Sequence, residues 1–204
     1  MKLLELFCGT KSITKIAKDM GWDCKTLDFS QEFNPDICKS ILDFDLPDLG
    51  NWRPDIIWAS PPCTCFSVAS LGHHWTGGKQ AYIPKTEEAK IAIEIAKKTM
   101  LIIKSLKPKY YFIENPRGVL RKLNIIKGIR NTVTYCQYGD KRMKPTDIWT
   151  NNELWVPKPM CHNGDPCHEA APRGARTGTQ GLKGAMERGI IPPQLCKEIL
   201  ESCL

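Results

Sequence analysis

The chain has 204 residues, 42% of them hydrophobic and 25% charged, which supplies one substantial core and excludes global disorder. Lys and Arg number 29 against 22 Asp and Glu, a net charge of +7 that favours a polyanionic partner over an acidic one. No apolar run approaches the roughly 18 residues of a membrane helix, and Glu5 breaks the apolar start, so neither a membrane span nor a secretory leader is expected, and the protein is placed in the cytoplasm.

Residues 2–8 read as a buried strand ending at Gly9, followed by a helix from Ser12 to Met20 with Ile13, Ile16, Ala17 and Met20 on one face and Gly21 as its stop. A strand over 23–29 carries Asp28 near its end, and Asp55–Ala59 forms another that runs into Ser60-Pro61-Pro62-Cys63. The longest helix is predicted over 86–106, capped by Thr86, with Glu87 and Glu88 at its positive end. Further strands are expected at 110–113, 132–136 and 147–150. Composition shifts at Asn151: residues 151–190 are rich in Gly, Pro, Arg, Cys and His without a period and read as a small appended module, and 191–204 reads as a helix returning to the core. Alternating strands and helices over 1–150 predict an α/β fold with a doubly wound sheet, whose ligands sit at the carboxyl ends of its strands.

Four such ends carry unusual residues. Phe7-Cys8-Gly9-Thr10-Lys11-Ser12 turns into a helix N-terminus, a setting for an anionic ligand, and Asp28 resembles a ribose-binding acid; together they suggest a nucleoside-containing cofactor. In Ser60-Pro61-Pro62-Cys63-Thr64-Cys65-Phe66-Ser67, two prolines fix the backbone and present the Cys63 thiol rigidly. Phe112-Ile113-Glu114-Asn115-Pro116-Arg117 closes an apolar strand with a carboxylate that is costly to bury unless it is bonded or functional. The basic run Lys141-Arg142-Met143-Lys144 precedes another strand. The ten cysteines are scattered and expected to be reduced, most of them as small core residues. Cys161, His162, Cys167 and His168 are weak metal candidates, because their spacing is not the usual Cys-x2-4-Cys.

In this order the pieces resemble the DNA cytosine-5 methyltransferase family. Phe7-Cys8-Gly9 is similar to its cofactor motif, Pro62-Cys63-Thr64-Cys65-Phe66-Ser67 to its Pro-Cys-Gln-x-Phe-Ser loop, and Glu114-Asn115 to its Glu-Asn-Val. Tyr138-Gly139 with Arg142 and Lys144 resembles its Gln-x-Arg-x-Arg segment, and Ile191-Pro192-Pro193-Gln194-Leu195 its closing Val-Pro-Pro-x-Leu. The compactness is most like that of the small members encoded by bacteriophages. The resemblance implies a Rossmann-like methyltransferase sheet with a small target-recognition appendage. It also implies S-adenosyl-L-methionine as donor, held by Phe7, Gly9, Thr10, Lys11, Ser12, Ile13, Asp28, Phe29, Ser40, Ile41 and Pro61. Cys63, Glu114, Arg142 and Lys144 would be catalytic, the two cations favouring a thiolate that at the ordinary thiol pKa of about 8.5 is scarce at neutral pH. Double-stranded DNA would be the partner of a monomer, contacted by His73, His74, Asn115, Arg117, Arg173, Arg176, Thr177 and Gln180, with Phe66–Thr86 closing over an extruded base.

There are departures. Lys11 and Ser12 stand where the family has more glycine, Ser40 where it has an adenine-contacting Asp, Thr64 where it has Gln, and Arg188-Gly189 where it has Gly-Asn. Lys11 and Arg188 would also suit a donor carrying an extra carboxylate. Three alternatives stay open: an RNA cytosine methyltransferase, a DNA amino-group methyltransferase (Ser-Pro-Pro-x resembles its loop, though Cys63 occupies the aromatic position), and a non-catalytic DNA-binding protein with a decayed cofactor site.

Overall fold

The computed structural model describes residues 1–170, 182 and 184–204. Its strands are β1 (Lys2–Leu6), β2 (Asp23–Asp28), β3 (Ile37–Cys38), β4 (Ile56–Ala59), β5 (Trp75–Thr76), β6 (Ile83–Pro84), β7 (Tyr110–Pro116), β8 (Ile129–Thr134) and β9 (Pro145–Thr150). Its helices are α1 (Ser12–Asp19), α2 (Leu71–His74), α3 (Gly78–Ala81), α4 (Glu87–Leu106), α5 (Ala185–Gly189) and α6 (Pro193–Glu201). Seven strands form one sheet in the order β3-β2-β1-β4-β7-β9-β8, and β5 and β6 make a separate hairpin. β9 alone runs antiparallel to its neighbours β7 and β8. The sheet is the Rossmann-like α/β architecture that the alternation of elements predicts.

The central strands are apolar on both sides, so each face must be covered. Leu4, Leu6, Ile57, Ala59, Ile113 and Trp149 point to one face, where Ala89, Ala92, Ala96, Ile103 and Leu106 of α4 pack on them. Leu3, Ile56, Trp58, Phe112 and Ile148, the alternate residues, point to the other face, against Ile13 and Ala17 of α1 and Leu195, Cys196 and Ile199 of α6. α4 starts where Thr86 accepts the Ala89 N–H at 3.2 Å. α1 starts over Glu5, whose buried carboxylate accepts the Thr14 N–H at 3.0 Å. Burial pushes that carboxyl up to about 7, against the hydrogen bonds from Thr14.

Several elements differ from expectation. β7 runs on to Pro116 because β9 pairs with its last residues, Glu114 with Ile148 and Asn115 with Asp147. The strand expected at 132–136 lies at Ile129–Thr134 and gives way to a 3-10 turn over Tyr135–Tyr138. The segment Phe66–Thr86, expected as a loose lid, holds α2, α3 and the β5–β6 hairpin. It is pinned by buried Trp75, whose ring stacks on Phe66 at 6.1 Å and whose indole N–H donates to the Cys65 carbonyl at 2.6 Å.

Candidate active site

Parallel strands put all their carboxyl ends on one edge of a sheet, and an antiparallel neighbour brings its amino end there. Here β4 and β7 pair Ala59 with Ile113, so Ser60 and Glu114 leave that edge side by side. β8 pairs Thr134 with Pro145 of β9, which sets Tyr135 and Lys144 at the same edge. The topological reversal lies between β1 and β4, the position at which such sheets bind ligands.

Glu114 is the buried centre of this edge. Tyr135 Oη donates to its Oε1 at 3.1 Å, and the Ser60 hydroxyl donates to the carboxylate while accepting the Trp58 indole N–H at 2.9 Å. Desolvation nevertheless dominates and raises the carboxyl above its usual range, with Lys144 pulling the other way. Cys63 sits half-buried next to it. Its thiol is raised first by burial and then by the Glu114 charge, and lowered by Lys144 and Arg188. Lys144 in turn is held below the ordinary lysine value by burial, which outweighs the attraction of Glu114 and Cys63. A thiol, a carboxyl and an amine thus share one poorly solvated corner.

The corner is held by backbone ties. Asn115 Nδ2 donates to the Pro61 carbonyl at 2.8 Å, and Val119 N donates to the Phe66 carbonyl at 2.8 Å, so both ends of the Cys63 loop hang on the end of β7 and the residues just beyond it. A Cβ on Gly118 would come within 2.1 Å of the Phe66 carbonyl oxygen; only glycine admits this approach. Lys144 has φ of 23°, a left-handed value strained for a lysine. Its Nζ donates to the Arg188 carbonyl at 2.7 Å and lies 4.6 Å over the Tyr135 ring.

Several of the expected residues have other partners. Arg142, expected beside the thiol, is bonded elsewhere. Its guanidinium, 5% exposed as a residue, pairs with Asp140 and donates to the carbonyls of Glu187, Arg188 and Ile190, which occupies all five donors of the fork. Asn115, expected at the DNA, is fully buried. His74 is buried, with Nδ1 2.8 Å from the Thr86 hydroxyl, whereas His73 and Arg117 are exposed. Arg173, Arg176, Thr177 and Gln180 lie outside the described residues.

On the β1–β2 side the chain turns sharply, with left-handed φ at Phe7 (59°), Gly9 (44°) and Lys11 (56°). Asp28 braces this turn, accepting the Gly9 N–H and the Ser30 N–H at 3.0 Å each, and a lone pair remains on each oxygen. Phe29 beside it is 73% exposed. Other residues expected here have local duties. Lys11 Nζ donates to the Asn34 carbonyl, Ser12 Oγ accepts the Ile191 N–H, and Ser40 Oγ accepts the Leu42 N–H. Thr10 is half-buried with its hydroxyl 3.1 Å from that of Ser12, and Ile13, Ile41 and Pro61 are buried.

Of the four metal candidates, Cys161, Cys167 and His168 converge with Cys136, while His162 stands in solvent beside Asp165. Sequence reasoning missed Ser60, Tyr135 and Cys136. Only Ser60, which neighbours the Pro-Pro loop, had any local signal; the other two are brought in by strand pairing.

A profile of the C-5 cytosine-specific DNA methylase family matches residues 1–141. The probable DNA (cytosine-5)-methyltransferase of Frog virus 3 (isolate Goorha) is 32% identical over the full length of both chains. Among solved structures, an Escherichia coli prophage protein assigned as a DNA modification methyltransferase superposes with a TM-score of 0.56 at 14% identity, over 78% of this chain and 51% of that one. The Entamoeba histolytica methyltransferase EhMeth superposes with a TM-score of 0.53 at 12% identity, over 78% of this chain and 56% of that one. The chain therefore spans about half the length of these two structures, whose likeness is one of fold. With the profile over two thirds of its residues and a viral relative along its whole length, this chain belongs to the C-5 cytosine-specific DNA methylase family, an enzyme class that methylates DNA cytosine.

Proposed function

We propose that the protein methylates C5 of a cytosine extruded from duplex DNA, using Cys63 as a transient covalent nucleophile and S-adenosyl-L-methionine as donor. The observation that carries this reading is the pairing of the Cys63 thiol with the buried Glu114 carboxyl and the Lys144 amine at one sheet edge.

The β1–β2 edge fits a nucleoside sulfonium. Asp28 retains lone pairs for ribose hydroxyls, Phe29 offers an open ring to a base, and the Gly9 turn admits close backbone approach. When bound, S-adenosyl-L-methionine supplies an electrophilic methyl group. Phe7, Gly9, Thr10, Asp28 and Phe29 are the residues assigned to hold it.

A cytosine within a duplex is inaccessible, so the base leaves the stack at a cost of a few kcal/mol. The Cys63 thiolate adds to C6, forming an S–C6 bond and pushing the ring electrons toward C5 and N3. A raised Glu114 pKa suits a protonated carboxyl that donates to N3 and neutralises this charge. C5, now electron-rich, would take the methyl group from the bound donor, whose methyl–sulfur bond breaks with its electron pair left on sulfur; loss of the C5 proton to solvent then returns the ring electrons and expels the Cys63 thiolate, leaving 5-methylcytosine. Lys144 stabilises the anion each time it is free. Residues 151–190 are assigned to target recognition, with exposed His73 and Arg117 contributing to DNA contact. So short a segment implies a target of about two to four base pairs.

The test is incubation with S-adenosyl-L-methionine and duplexes containing 5-fluorocytosine, in which the fluorine blocks proton loss. A covalent adduct absent in Cys63→Ala is expected. Methyl transfer to DNA that survives Cys63→Ala would overturn the thiol mechanism.

A further inference from the structure

Three thiols and one imidazole meet where residues 161–168 approach the 3-10 turn Tyr135–Tyr138. Cys136 Sγ lies 3.0 Å from Cys161 Sγ and 3.6 Å from Cys167 Sγ, and His168 Nδ1 lies 3.7 Å from both Cys161 Sγ and Cys167 Sγ. All four atoms fall within 4.8 Å of one another. A tetrahedral zinc ion with Zn–S near 2.3 Å and Zn–N near 2.05 Å requires S···S edges of about 3.8 Å and S···N edges of about 3.6 Å. Three of these four separations match such a tetrahedron, and the Cys136–Cys161 edge is short by under 1 Å.

The chain converges on this point deliberately. Cys136 comes from the turn after β8, and Cys161 is fixed beside it by its own N–H, which donates to the Thr134 hydroxyl at 3.0 Å. The intervening loop folds back through a turn in which Asp165 N donates to the His162 carbonyl at 3.1 Å, with Gly164 at φ of 96°. That returns Cys167 and His168 to the first two sulfurs. Without an ion, such a loop lacks an apolar core, and thiols are weak partners for one another.

We propose that Cys136, Cys161, Cys167 and His168 bind a structural zinc ion. Thiolates and an imidazole in a closed tetrahedral set suit zinc over the hard cations. The ion would clamp the segment after β9 to the turn whose Tyr135 holds Glu114, so that the recognition segment and the catalytic carboxyl share one support.

The test is the metal content of the full-length protein, purified without chelator and measured by plasma mass spectrometry. Stoichiometric zinc is expected, falling to background in Cys136→Ser and Cys161→Ser and unchanged in His162→Ala. Because the serine variants can misfold, the wild-type chain is also loaded with Co2+, which should give thiolate-to-cobalt charge-transfer absorption and intense tetrahedral d–d bands. Folded wild-type protein lacking zinc and giving no such spectrum, or a Cys136–Cys161 disulfide found by peptide mass mapping, would overturn the site. None of these readouts uses methyl transfer, so failure here is distinct from failure of the thiol mechanism.

Discussion

Cys63 occupies an environment that opposes its own ionisation, since burial and Glu114 both push the thiol up while Lys144 and Arg188 pull it down. Nucleophilic readiness at this position is therefore a balance of neighbours rather than a property of the loop. The rate of Cys63 alkylation by iodoacetamide, followed on its own peptide by mass spectrometry, should rise with pH through a midpoint above that of an ordinary thiol. Replacing Glu114 with Gln removes a negative charge and should move the midpoint down. Lys144→Met removes a positive one and should move it up. Equal midpoints in the three proteins would show that the side chains do not share a corner. The resemblance picked out both cations at 142 and 144, but they have separate tasks: Lys144 faces the thiol, while Arg142 is bound to Asp140 and the carbonyls of 187–190. Residue type and spacing cannot distinguish these, because both side chains reach in several directions from the same loop.

At the scale of elements, the Cys63 loop takes its position from contacts made well away in sequence. It rests against Gly118, whose missing side chain leaves room for the Phe66 carbonyl, and its first carbonyl is held by Asn115. Gly118→Ala must displace one of these two backbone segments. The expected outcome is at least a tenfold fall in adduct formation, equivalent to about 1.4 kcal/mol or more, with a far smaller loss of thermal stability. Adduct formation at the wild-type rate would show that the loop is not positioned through this contact. The long helix α4 was legible almost to the residue because its cap, first-turn acids and apolar period agree. β3 was not, since it contributes only two ladder pairs and is defined by its neighbour β2. Trp75 shows the same limit: a Gly-rich stretch read as a loose lid is anchored by one aromatic ring.

For the whole molecule, the chain closes on itself. Leu195, Cys196, Ile199 and Leu200 of α6 cover Leu3, Trp58 and Phe112, and Ile191 N donates to Ser12 at the start of α1. Each large apolar side chain left uncovered costs about 1.5–3 kcal/mol, so truncation before Pro193 removes several kcal/mol from a fold whose total margin is about 5–15 kcal/mol. The truncated chain should lose cooperative thermal unfolding and bind a hydrophobic dye at room temperature. A sharp transition near that of the full chain would contradict this closure.

The sequence by itself determined the α/β alternation, the strand ends that bear Cys63, Glu114 and Asp28, and the family. These rest on local period, turn chemistry and short contiguous motifs, all of which are written within a few neighbouring residues. Only the tertiary structure decided which basic residue faces the thiol, that Asn115 braces the Pro61 carbonyl, and that Cys136 joins Cys161, Cys167 and His168. Those outcomes depend on strand order and register, which bring together residues as far apart in the chain as Pro61 and Asn115 or Cys63 and Lys144, and no local pattern encodes such distances.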